Sequence, residues 1–224
     1  MARCAPVSLT LVAVVGIAAV GLAQERFDDR VRDDVFRGFA GNSAALNNAL
    51  TIIDGTLAQN PDHAEALAWR GATRYWQAGQ AFRAGETARA KNLAADALAD
   101  MDRAVTLQPN NISVLIPRAL VLLRAARNQR DPTRARNLAA RAAADFEAAF
   151  ALRQSAFARL GQHNRGEYLS GLAESWALAG DRSKAESYLQ RILAEVPNSP
   201  YAELAAAKLA NWDDLRPLNC QSCH

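Results

Sequence analysis

The chain has 224 residues, half of them hydrophobic, with 26 Lys and Arg against 23 Asp and Glu and a formal net charge of +3. That balance is too near neutral to argue for nucleic acid as a partner. Three histidines and three cysteines leave few groups for acid–base or nucleophilic chemistry, and there is no Gly-rich phosphate loop, H-E-x-x-H helix or nucleophile elbow.

Residues 1–23 read as a secretory signal peptide. Arg3 is their only charge, an apolar run extends from Leu9 to Val20, and Gly21-Leu22-Ala23 sets small residues one and three positions before Gln24. The run is shorter than the roughly 20 apolar residues of a membrane span. Cleavage after Ala23, a periplasmic or secreted product and no membrane span after cleavage are therefore expected; an uncleaved anchor is the alternative. Cys4 precedes the apolar run and leaves with it.

Residues 24–211 are rich in Ala, Leu, Arg and Gln, strong helix formers, and show no sustained period-two alternation. The pattern predicts helices over 27–39, 43–59, 63–79, 86–107, 112–127, 133–153, 164–179 and 182–195, with a capping helix near 199–211. Asn60-Pro61-Asp62, Asn110-Asn111, Asp181 and Asn198-Ser199 supply turn or N-cap chemistry between them. Asp28-Asp29 and Asp33-Asp34 read as solvated helix faces.

The segment repeats itself. Residues 89–107 and 134–152 share eleven identities in nineteen positions, among them Asp100 with Asp145, and Met101 stands where Phe146 stands. The preceding helices correspond as well, Pro61, Leu67 and Arg70 with Pro109, Leu115 and Arg118. Self-similarity over tens of residues marks stacked repeats. In the last copy, Leu169, Leu172, Ala173, Trp176, Gly180, Ala185, Leu189 and Pro197 fall at the spacing of a tetratricopeptide repeat, which this segment resembles. The interior copies depart from that family by repeating at about 45 to 48 residues instead of 34. Their hairpins are expected to hold extended helices, or enlarged loops around Gly79–Gly85 and Asn128–Pro132. The resemblance implies an all-α fold, a right-handed α-solenoid of about four antiparallel helix hairpins plus a capping helix, with the first helix of each pair lining a groove for protein partners. Tyr75, Trp76, Arg124 and Arg127 are candidates to face that groove, the arginines to pair with carboxylates. Trp69, Tyr75, Trp76 and Trp176 serve equally as core.

Residues 212–224 form a tail without helical period that ends on Cys220-Gln221-Ser222-Cys223-His224. C-x-x-C-H is the attachment signature of c-type haem: Cys220 and Cys223 would form the thioethers and His224 the proximal bond to iron. A Cys220–Cys223 disulfide in a cofactor-free adaptor is the alternative, and a zinc site with a fourth ligand such as His163 is a further one. A c-type cytochrome normally brings its distal ligand from a downstream segment, and no such segment is expected after His224 here. The distal side would then be filled by His163, His63 or Met101 of the repeat, by a partner or second copy, or left open; a covering partner is the favoured reading, since exposed haem is a large apolar surface. The His224 carboxylate beside iron is expected to lower the reduction potential. The expected function is an exported scaffold with one haem c, for electron transfer or for placing haem in an assembly. An enzyme, of peroxidase type, is a weaker option, for want of a distal acid–base group.

Overall fold

The structure is a computed structural model, and it describes residues 26–214 and 216–218. The signal-peptide reading (1–23) and the C-x-x-C-H reading (220–224) lie outside the described residues. Among these residues the chain is all-helical, with nine α-helices: α1 Phe27–Phe39, α2 Ser43–Gln59, α3 Ala64–Arg83, α4 Thr87–Leu107, α5 Ile112–Arg127, α6 Pro132–Arg153, α7 Gln162–Ala179, α8 Arg182–Glu195 and α9 Pro200–Ala210. A short 3-10 segment, Gln154–Arg159, follows α6.

Local chemistry starts and stops these helices where the sequence indicates. The side chains of Asn42, His63, Asn111, Asp131, Asp181 and Ser199 each accept a backbone N–H of the first turn that follows, which satisfies donors a helix start leaves open. Gly180 closes α7 at φ 92°, a left-handed geometry that glycine adopts without steric cost. The extra length of the interior repeats goes into helix and not into loop: α3 runs four residues past the expected stop at Gly79, to Arg83. Nothing local at Gly79 ends it, because glycine inside a packed helix costs only about 1 kcal/mol.

Helices pair as α1/α2, α3/α4, α5/α6 and α7/α8, and α9 covers the end. Along the stack α1 touches α3, α3 touches α5, α5 touches α7 and α7 touches α9. The even-numbered helices form no comparable row, so the odd-numbered helices are the more closely spaced layer. Closer spacing on one side curves a stack toward that side, as in an α-solenoid. Three apolar clusters fill it. One joins Val31, Val35, Ile53 and Leu67; one joins Leu122, Leu138, Phe146 and Leu172; and one joins Leu169, Leu189, Ile192, Tyr201 and Leu218. Met101 is wholly buried against Gly71, where an added Cβ would come within 2.6 Å of its Cγ.

One surface expectation is overturned. Asp28 is only 2 % exposed, not part of a solvated face. Arg32 pairs with it at 2.7 Å and Arg26 at 3.6 Å, and burial pushes its carboxyl above the usual range.

Candidate functional site

The C-x-x-C-H reading falls just beyond the described tail, so the site is built from the described tail residues that precede it. After α9 the chain turns at once. Asn211 Oδ1 accepts from the Asp213 N–H at 3.0 Å, and Lys208 Nζ donates to the carbonyls of Trp212 (2.7 Å) and Asp214 (2.6 Å). The Arg182 guanidinium lies 4.6 Å from the centre of the Trp212 ring, a cation–π contact to α8. Arg216 Nη2 pairs with Asp214 Oδ2 at 2.5 Å. That hydrogen bond is the main cause holding the Asp214 carboxyl down, at about 2.

The chain then runs back onto α7. Leu218 is 3 % exposed and belongs to the apolar cluster of α7, α8 and α9. Its N–H donates to Glu174 Oε2 at 3.0 Å, and Arg127 of α5 donates to Glu174 from Nε and pairs through Nη2. Glu174 is itself 8 % exposed. A carboxylate taken this far from water loses hydration worth several kcal/mol and is tolerated when paired and hydrogen-bonded. Arginine's planar fork and a backbone amide supply those bonds.

Sequence reasoning named Arg127 as a partner for carboxylates but not Glu174 or Leu218. The available signal was composition. Leu169 to Ser175 are all buried, so α7 is enclosed on every side, and a glutamate inside such a small-residue helix demands a partner. Of the other groove candidates, Trp76 stacks on Phe39 at 5.5 Å. Tyr75 bonds with Asn128, and its hydroxyl is pushed up by burial. Trp176 donates to Glu147 at 3.0 Å and Trp69 is core. Arg124 is exposed on α5, one turn from Leu120, which is 48 % exposed.

The two candidate distal histidines are held differently. His63 caps α3: its Nδ1 accepts the Ala66 N–H at 3.2 Å, and its ring lies 4.8 Å from Phe27. An Nδ1 that accepts leaves a neutral ring's proton on Nε2, so Nε2 ligation would break the cap. His163, at the start of α7, has Nδ1 3.0 Å from the Tyr201 hydroxyl and Nε2 3.7 Å from Glu167. Which of His163 and Tyr201 donates depends on the imidazole tautomer, and the Glu167 carboxylate faces the other ring nitrogen. Tyr201 shares its cluster with Leu218, so His163 stands at the tail's end of the molecule and His63 at the other.

An open cleft of about 430 Å³ lies elsewhere, lined by Arg26, Glu65, Asn111, Ser113 and Arg153 among others; among the described residues no histidine or tail residue lines it. Among the described residues no helix is long and apolar enough to cross a membrane. Compared with known proteins, the chain matches no family model, no curated protein and no solved structure.

Proposed function

We propose that the chain is an exported helical-repeat scaffold, tetratricopeptide-like in its hairpins, that carries one haem c on its tail for electron transfer or for haem placement within a protein assembly. Cys220 and Cys223 would hold the porphyrin through thioethers and His224 would be the proximal ligand. The observation that carries this reading is Leu218, a buried and hydrogen-bonded residue two positions before Cys220. The described part of the tail is therefore anchored to the helical stack two positions before Cys220. The donor set suits haem: two thiols and one imidazole at the attachment spacing, with His163 on the same end of the stack as the described tail. Bound there, haem supplies one-electron redox chemistry. The residues of this chain supply attachment, orientation and a curved inner layer for a protein partner that covers the exposed haem face.

The test is expression in a host that matures c-type cytochromes, with export to the periplasm. A covalent haem mass adduct with a Soret band, both lost on Cys220→Ala with Cys223→Ala, is expected. A colourless product lighter by two hydrogens overturns the reading in favour of a cofactor-free adaptor with a Cys220–Cys223 disulfide.

A further inference from the structure

We infer that Glu174 is the positioning residue for the tail. With Arg127 it forms a latch that seizes the Leu218 N–H and so sets where the attachment motif is presented; the haem arm of this inference rests on the function proposed above. Three observations converge on it. Glu174 is a buried carboxylate on a helix otherwise closed by small and apolar side chains, and one of its hydrogen-bond donors comes from 44 residues away in the sequence. Arg127 belongs to α5, so the latch also ties two successive helices of the inner layer. The Leu218 side chain is seated beside it in the apolar cluster, so the backbone bond and the burial act at one residue.

Both partners depend on the tail. Without it, Glu174 loses a donor and the cover over a buried charge; without Glu174, the Leu218 N–H and the Arg127 fork are left to find other acceptors.

The experiment is amide hydrogen exchange on the full exported chain, haem-loaded and as the Cys220→Ala, Cys223→Ala form, comparing the parent with Glu174→Ala, Glu174→Gln and Leu218→Asp. Glu174→Ala should speed exchange at Leu218 at least tenfold. Glu174→Gln keeps an acceptor oxygen and should restore part of the protection. Leu218→Asp lies outside every helix and sets a second carboxylate against Glu174; it should free residues 216–218 with helix protection unchanged, which covers the case in which Glu174→Ala unfolds α7. In haem-loaded protein the same variants should alter Soret circular dichroism at unchanged haem content. Unaltered protection of the residue-218 amide in Leu218→Asp overturns the latch. A freed tail with parental Soret dichroism overturns its positioning role. A colourless parent sinks the haem reading, and the exchange arm still decides the latch.

Discussion

Arg118 on α5 grips Asp145 on α6 through Nε at 2.7 Å and Nη2 at 2.6 Å, and Arg70 on α3 grips Asp100 on α4 through the same two atoms at 2.8 and 2.6 Å. The two pairs are one device in successive repeats: a two-pronged tie across each interior hairpin. The arginines differ in their extra bonds. Arg118 also reaches Asp102 at 3.1 Å, whereas Asp100 takes a second arginine, Arg74, at 2.6 Å. Burial is the largest influence on the Asp145 carboxyl and pushes it up, against the pull of Arg118.

Breaking one partner of such a pair should cost more than removing both. Asp145→Ala and Arg118→Ala are each expected to destabilise by about 3 kcal/mol, because an unpaired charge stays behind. The Arg118→Ala, Asp145→Ala double variant should lose less than the two single costs added together. Urea unfolding of the four proteins as a double-mutant cycle measures the coupling; strict additivity would count against the tie.

Glycines in the stack should separate by what faces them. A Cβ at Gly171 would come within 2.5 Å of the Phe146 ring, and one at Gly71 within 2.6 Å of Met101 Cγ and 2.9 Å of the Ala97 carbonyl oxygen. Alanine at either should destabilise by about 1–3 kcal/mol through overpacking. Gly55 in α2 has nothing within 4 Å of that position, so Gly55→Ala should stabilise by up to about 1 kcal/mol. Thermal melts compare the three directly.

The tail staple has a pH signature of definite sign. Asp214 titrates at about 2, below its usual value of 3.8, chiefly through the hydrogen bond from Arg216. A depressed carboxyl contributes stability that is present above about pH 4 and is lost as pH falls through about 2. Carboxyl carbon shifts followed by NMR should give the low midpoint in the parent and a return toward the usual value in Arg216→Ala. An unchanged midpoint in that variant would remove Arg216 as the cause.

His63 and His163 should respond differently to replacement. His63→Asn keeps an acceptor at the α3 N-cap and should be nearly neutral, whereas His63→Ala should cost about 1 kcal/mol. Neither should alter the absorption spectrum of haem-loaded protein. His163→Ala should make the reduced protein bind carbon monoxide more readily, if His163 supplies the distal bond; equal carbon monoxide binding in parent and variant would assign the distal side elsewhere.

Most helix boundaries were legible because their causes are local. Apolar spacing and the caps Asn111, Asp181 and Ser199 act within a turn or two of chain. The α3 terminus was misplaced at Gly79 because a single glycine costs a helix only about 1 kcal/mol and does not by itself stop it. Asp28 was misread because two acidic neighbours on a helix look alike in sequence, and only Arg26 and Arg32 folding over one of them tells them apart. The correspondence of Arg70 with Arg118 and of Asp100 with Asp145 was visible in the repeat, but their pairing across the hairpin was not.

Composition, period and self-similarity by themselves determined that this chain forms stacked helical hairpins, since amphipathic spacing and end-capping need no distant partner. The tertiary structure alone decided that Arg127, Glu174 and Leu218 meet. Their bond depends on the spacing of α5 and α7 and on a tail that doubles back onto α7. That spacing comes from side chains of several helices packing at once, a sum that no stretch of sequence contains.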